Sequence, residues 1–461
     1  MPPPIVLFLF DQLRADALGA AGQPFARTPS LDRLAASSVR FETCVTNAPL
    51  CRPARVTLLG GRWVHEHGPD TNRRAPPPSI ESHVRALRDE AGHHTAVVGK
   101  THLHDGGGHL DQHRAVLERF GFAEAHELPD AERHDVESGH SDWLRATTAD
   151  GHPDKHRRWR DYVAHHRFGA PPPDRAPWAL GIEDHLDVHC ARSAAALVRG
   201  YGGDRPLYLS VCFPGPHPPF DAPSAFLDAF DPADPRLPLP IPASSTGPAS
   251  PIARRYLRRS RAWTEADARR LRAAYFAKVA LVDQAFGRVI AALEDAGLLD
   301  EAWILVTADH GELLADHGFT GKVLPYEGAV RVPLLVRPPG GVEGWTDRGA
   351  VDLRDVVATI RAIAGLAPGA GRSLVARALE GPTGPEAHRD HDVVFECLGT
   401  VAVRTADATL AWDRRVGPVA LYDRRSDPEE RHNAIEDPSS RPTIEALVER
   451  LRAAGAIEGR A

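Results

Sequence analysis

Residues 47–62 read NAPLCRPARVTLLGGR. Cys51 stands between Pro49 and Pro53, Arg55 follows four residues on, and an apolar run then ends at Gly60-Gly61. Prolines at the start and glycines at the end bracket a short helix. The thiol falls at its mouth and the guanidinium one turn later. A helix N-terminus and a nearby guanidinium both favour an anion at position 51. A buried structural cysteine is the ordinary reading of a lone thiol, but the Pro and Arg spacing favours a reactive one.

Outward from this stretch, short apolar runs alternate with helical ones. IVLFLFD (5–11) ends in a carboxylate and HTAVVGKTHLH (94–104) in Gly-Lys and histidines. RPLYLSVCFPGPH (205–217) ends in a Pro/Gly turn and a histidine, and AWILVTADHGE (302–312) in Asp-His-Gly. VPLLVRPPG (332–340) is a fifth run. Continuous apolar strands separated by helices predict a parallel sheet covered on both faces. The carboxyl ends of such strands are where ligands bind, and here those ends carry the acids, the lysine and the histidines. A helix is predicted over 265–296, because Tyr275, Val279, Val282, Phe286, Ile290 and Leu293 recur at spacings of three and four. Thr264 is its expected cap.

Residues 105–200 are rich in His, Asp, Arg and Pro with weak periodicity, and predict an irregular insertion near the site. The Pro/Ser-rich stretch 235–251 reads as a surface loop. A catalytic domain over 1–365 is expected to lead through a Gly/Pro-rich connection into an α+β subdomain over 366–461. In it, HDVVFECL, TVAVRT, ATLAWD and VALYD form antiparallel strands and 442–454 a closing helix.

The bulk numbers exclude several classes. A formal charge of −7 over 461 residues leaves no basic footprint for nucleic acid. No apolar run reaches the ~18 residues that span a membrane, and MPPPIVLFLFDQ has no basic leader. These readings predict a cytoplasmic protein with no membrane partner. Five separated cysteines, without a CxxC pair, suggest neither a disulfide framework nor a zinc site. Among 55 Lys and Arg residues only Lys100, Lys155, Lys278 and Lys322 are lysine. A chain so biased keeps lysine where a compact ammonium is required.

C-x-P-x-R at 51–55 resembles the signature of the type I sulfatases of the alkaline-phosphatase-like superfamily. DQLRADALGAAG with TPSLDRLAASSVRFE is similar to that family's opening segment, and VGKTHL to its lysine-x-histidine element at Lys100 and His102. FPGPHPPF resembles its second histidine element at His217, and TADHGELLADHGFTGK its metal and lysine element at Asp309, His310 and Lys322. VALYDRRSDPEERHN is similar to its C-terminal strand and turn. The elements come in family order over nearly the whole chain. Arg52 and Val56 stand where smaller residues are common.

The resemblance implies a mostly parallel sheet sandwiched by helices, with a smaller C-terminal antiparallel sheet plus helix. It implies that Cys51 is oxidised to Cα-formylglycine (3-oxoalanine) by a formylglycine-generating enzyme, a partner of the Cys51 segment. Arg55 would hold the hydrated aldehyde. One hydroxyl of that hydrate attacks sulfur, the alcohol leaves, and the second hydroxyl expels sulfate. Asp11, Gln12, Cys51, Asp309 and His310 would surround one divalent cation. An oxygen shell favours Ca²⁺, and the imidazole raises the case for Mn²⁺. Many members carry a second acid where this chain has Gln12, which is either a ligand or an outer hydrogen bonder. Lys100 and Lys322 would neutralise the sulfuryl oxygens. His217 would protonate the leaving oxygen and His102 take a proton in the second step. Asp316 and His317 would orient Lys322 or its loop.

The expected activity is hydrolysis of a small-molecule sulfate ester. A phosphonate monoester or phosphodiester hydrolase of the same superfamily is the alternative, distinguished by the greater positive charge that a phosphoryl dianion demands. A non-catalytic binder of such ligands is the third. Trp143, Trp159 and Trp178 either wall an aryl or sugar site or pack within the insertion.

Overall fold

The computed structural model describes residues 2–133, 135–149, 154–165, 177–242 and 263–458. The predicted loop at 235–251 therefore lies from 243 onward outside the described residues. Nine strands make the main sheet: β1 (Ile5–Asp11), β2 (Val39–Val45), β3 (His94–Gly99), β4 (Glu124–Glu127), β5 (Leu207–Pro216), β6 (Trp303–Ala308), β7 (Arg331–Arg337), β8 (Trp345–Asp347) and β9 (Val351–Asp352). Their order is β4-β3-β5-β1-β6-β7-β2-β8, with β9 beside β2. Strands β4, β3, β5, β1 and β6 run parallel.

β1, β5 and β6 are buried at every position, which is why they read as unbroken apolar runs. The pleat of β1 shows both covered faces. Phe8 and Phe10 meet Phe286 of the helix Glu265–Asp295. Leu7 and Leu9 line the opposite side with Leu58, Leu59 and Val84. The Thr264 hydroxyl accepts from the Asp267 N–H and caps the long helix.

Two expectations need correction. The run at 332–340 forms β7, but β7 is antiparallel to both β6 and β2. It starts at the edge where β6 ends, after the 309–330 loop has crossed that edge, so it can only run back. The stretch 105–200 is not irregular throughout. β4 extends the sheet, and the helix Leu186–Gly200 packs against the long helix and β5. Its buried positions are mostly alanine and valine, a weak periodic signal in sequence but small enough for close helix packing. β2 was not expected either, because its sequence VRFETCV mixes in polar residues.

A second sheet, β10 (Val393–Cys397), β11 (Thr400–Arg404), β12 (Ala408–Asp413) and β13 (Gly417–Asp423), is antiparallel in that order. Leu447, Val448 and Leu451 of the helix Arg441–Ala453 pack on its Val401, Val403, Leu410 and Leu421. The sheet also meets the segment before Cys51: Asn47 Nδ2 donates to Val394 O at 3.0 Å, and the Glu396 N–H donates to Asn47 O at 2.9 Å.

Candidate active site

Because β3, β5, β1 and β6 are parallel neighbours, their carboxyl ends share one edge. Asp11 closes β1, Lys100 follows β3, His217 follows β5, and Asp309 and His310 follow β6. Gly99 makes the turn into Lys100 possible. Its φ is +104°, and a Cβ there would sit 2.0 Å from the Cys212 carbonyl oxygen, so no other residue fits.

Cys51 is the first residue of the helix Cys51–Gly60, whose preceding Leu50 is extended and offers no side-chain cap. The dipole of that helix end favours negative charge at the thiol, while the Arg52 N–H is taken by Asn72 Oδ1 at 3.0 Å. Lys322 Nζ lies 3.1 Å from Cys51 Sγ, His310 Nε2 3.2 Å, and Asp11 Oδ1 4.0 Å. Burial alone would raise the thiol's pKa, but Lys322 and Lys100 bring it well below the ordinary value. The site therefore stabilises an anion at this position.

Arg55, one turn on, does not bond the thiol. Its Nη2 donates to Asp11 Oδ2 at 3.0 Å, its Nε to Asp309 Oδ2 at 2.9 Å, and its Nη1 to the Lys100 carbonyl. The planar fork thus fixes both carboxylates by their outer oxygens. The inner oxygens turn to His310 Nε2, which lies 3.8 Å from Asp11 Oδ1 and 3.6 Å from Asp309 Oδ1. His310 Nδ1 is 2.9 Å from the Gly311 carbonyl. A carbonyl only accepts, so Nδ1 carries the proton and Nε2 keeps its lone pair for the cluster.

Asp11, Cys51, Asp309 and His310 are all buried, and one donor atom of each lies within 4.8 Å of the others. Inner carboxylate oxygens, an imidazole lone pair and an anionic residue at 51 suit a divalent cation. Gln12 stands beside this set with φ +71°. Its N–H donates to Asp309 Oδ1 at 3.1 Å, its Nε2 to Glu312, and its Oε1 accepts from Lys322 Nζ at 2.6 Å. In this arrangement its amide is bonded to Lys322 and Glu312.

Lys100 Nζ pairs with Asp11 Oδ2 at 2.5 Å and Asp130 Oδ2 at 2.7 Å. His102, at φ +57°, has a buried Nδ1 without a hydrogen-bond partner. His217 Nδ1 donates to the Pro218 carbonyl at 2.8 Å, and Asp130 Oδ1 is 3.6 Å away. Burial and Lys322 oppose a charge on His217, yet Asp130 and Asp11 carry its pKa up to about 9. It is an imidazolium at neutral pH, with Nε2–H available as an acid.

Asp316 and His317 make no hydrogen bond or ion pair to Lys322 but belong to the loop that leads to it, where the Phe319 N–H donates to the Asp316 carbonyl at 2.9 Å. Asp316 pairs with Arg14 at 2.7 Å and with Arg272, and His317 stacks on Tyr326. Trp159 and Trp178 pack in a satellite core with Leu144, Tyr162 and Val163, and Arg192 covers Trp143. Arg52 donates to the carbonyls of His102 and His104 and pairs with Asp105 at 2.7 Å. A large residue at 52 thus ties the 102–105 loop to the Cys51 helix. Asp130 and Glu312 were not found from sequence: ELPDAER carries no motif, and Glu312 reads as part of the Asp-His-Gly-Glu turn. Among the described residues no helix is long and apolar enough to cross a membrane, and all five cysteines are free and buried.

The sequence pattern of the Sulfatase family matches residues 3–366. An arylsulfatase of Clostridium perfringens (strain 13 / Type A) is 27% identical over 372 residues, covering 78% of this chain and 74% of the relative. A choline-sulfatase of Rhizobium meliloti (strain 1021) is 26% identical over 448 residues, covering 95% of this chain and 83% of the relative. Among solved structures, the phosphonate monoester hydrolase of Agrobacterium radiobacter has a TM-score of 0.80 at 23% identity, over 98% of this chain and 95% of its own, a likeness of fold. With that pattern spanning the main sheet and every strand tip described above, the chain belongs to the sulfatase family.

Proposed function

We propose that this chain hydrolyses a small sulfate ester, with Cys51 as the precursor of the nucleophile. The observation that carries the reading is the convergence of Lys322, His310 and Asp11 on Cys51 Sγ at a helix N-terminus. Asp11, Asp309 and His310 would hold a divalent cation, Ca²⁺ or Mn²⁺, with the residue at 51 completing the set. The cation would supply Lewis-acid polarisation and formylglycine a hydroxyl nucleophile.

The remaining roles fall to the chain's own groups. Arg55 holds the two carboxylates in register. Lys100 and Lys322 place positive charge where the sulfuryl oxygens gain negative charge, an electrostatic contribution preorganised by burial. His217 keeps a proton at Nε2 for the leaving alcohol, under the field of Asp130. His102, its pKa lowered chiefly by burial, stays neutral and can accept a proton.

The fold likeness to a phosphonate monoester hydrolase favours a second reading. Surrounding charge does not separate the two as the sequence argument supposed. A phosphonate monoester and a phosphodiester each carry one negative charge, as a sulfate ester does. Rates do separate them. Peptide mass spectrometry of the Cys51 fragment, from protein made with its modifying enzyme, is expected to show the thiol replaced by an aldehyde or its hydrate. The same protein is expected to cleave an aryl sulfate faster than the matching aryl phosphonate. A phosphonate preference above about tenfold, or ~1.4 kcal/mol, would overturn the sulfatase reading, and a retained thiol would favour a binder.

A further inference from the structure

Next to the nucleophile a cavity of about 260 Å³ opens, reached past Lys100 and His102 and lined also by Asn72, Leu128, Asp130 and Glu132. Its carboxylates are unequal. Asp105 pairs with Arg52, Glu127 accepts from Thr101 and pairs with His104, and Asp130 pairs with Lys100. The Arg133 charge is matched by Asp135 at 2.7 Å. Glu132 differs: its Oε1 is buried and no hydrogen-bond partner reaches it. Burial pushes its carboxyl above the ordinary value, while His217, Lys322 and Lys100 act on it from the reacting centre. A buried acceptor left unmatched is destabilising, and Glu132 lines the space that a leaving group would enter, with Oε1 covered from solvent.

We propose that Glu132 selects the leaving alcohol, and that the substrate class is small esters whose alcohol carries a protonated amine. The inference rests on the reading above that the site cleaves an anionic ester. A carboxylate beside such an ester repels it unless the alcohol brings a compensating cation. With the ester anion against Lys100 and Lys322, an ammonium two or three bonds beyond the ester oxygen reaches into the cavity. None of the described lining residues is Phe, Tyr or Trp, so this lining offers no ring face of the kind that holds a quaternary ammonium. An ammonium with N–H donors instead matches the Glu132 carboxylate by a charge-assisted hydrogen bond.

The test compares kcat/KM for 2-aminoethyl sulfate, its trimethylammonio analogue and propyl sulfate, in the converted full chain and in Glu132→Gln. The native protein is expected to favour 2-aminoethyl over propyl sulfate by about 10- to 100-fold, the range of a hydrogen bond to a charged group. Glu132→Gln is expected to bring that ratio towards one, mainly through KM, and Glu132→Asp to restore part of it. Equal rates on the two esters, a ratio untouched by Glu132→Gln, or preference for the trimethylammonio ester would overturn the proposal. The same alcohols as phosphonate monoesters separate the two readings. A Glu132-dependent preference seen on phosphonates alone would overturn sulfate hydrolysis and support the cavity assignment. If neither class turns over, calorimetric titration of the same protein with 2-aminoethyl and propyl sulfate decides, equal affinities overturning the assignment.

Discussion

Asp11, Asp309 and His310 lie with Cys51 in one cluster, and Asp352, Asp355 and His391 in another; in each, the donor atoms lie within 4.8 Å of one another. Residue types alone do not tell them apart. The difference lies in where the lone pairs go. Asp352 caps the helix Leu353–Ile363: its Oδ1 accepts the Arg354 N–H at 2.8 Å, and the Arg354 guanidinium folds onto its Oδ2 at 2.7 Å. Asp355 returns the capping box by accepting the Asp352 N–H at 3.0 Å, and it also takes the Arg372 N–H at 2.7 Å. In the first cluster a guanidinium holds the outer oxygens; Asp309 Oδ1 also accepts the N–H groups of Gln12 at 3.1 Å and His310 at 2.9 Å, while Asp11 Oδ1 faces the imidazole and the thiol. The cap directs both carboxylates at backbone donors and a neighbouring guanidinium, whereas the Cys51 cluster gathers side chains from separate strand ends and turns one carboxylate oxygen, Asp11 Oδ1, to the thiol.

The sharpest break would come from metal content. Asp309→Asn is expected to lose the bound divalent cation by elemental analysis and at least about a thousandfold in kcat/KM, since such a cation contributes several kcal/mol at the reacting centre. Asp352→Asn is expected to keep both. An equal loss in the two variants would erase the distinction.

A third buried cluster sharpens the comparison because it is structural yet adjacent to the chemistry. Lys278 Nζ pairs with Asp221 at 2.5 Å and Asp187 at 3.0 Å, and Asp187 accepts the Gly215 N–H at 2.7 Å. These bonds hold both ends of the segment that carries His217. Lys278→Met leaves two buried carboxylates short of a cation and is expected to cost about 3–5 kcal/mol in denaturant unfolding. Retained stability would mean that the carboxylates find other partners.

Asp130 gives a pH signature. His217 is raised from 6.5 to about 9, so its protonated form contributes stability that is fully present below 6.5 and is lost as pH rises through 9. The rate is expected to fall on an alkaline limb near 9. Asp130→Asn removes negative charge beside the ring and is expected to move that limb to lower pH in a kcat profile. A limb that stays in place would assign it to another group.

The smallest effect belongs to the cap. Asp352→Asn keeps an acceptor for the Arg354 N–H but weakens the ion pair, and is expected to lower stability by about 1 kcal/mol or less by denaturant titration. A larger loss would show that the second cluster holds more than a helix end.

The sequence by itself determined the strands that carry the site and the polar tip of each, because unbroken apolar runs ending in Asp, Lys or His are local patterns. It determined the Cys51 helix too, since Pro53, Arg55 and Gly60-Gly61 act over a single short element. Tertiary structure alone decided the rest. Gln12 and Asp309 bond across 297 positions, β7 turns back because of where β6 ends, and Asp130 meets Lys100 and His217 only once β3 and β5 are side by side. Which carboxylate oxygen is clamped, which is open, and which acid in the cavity lacks a partner all depend on contacts between segments far apart in the chain, and residue spacing carries no record of those.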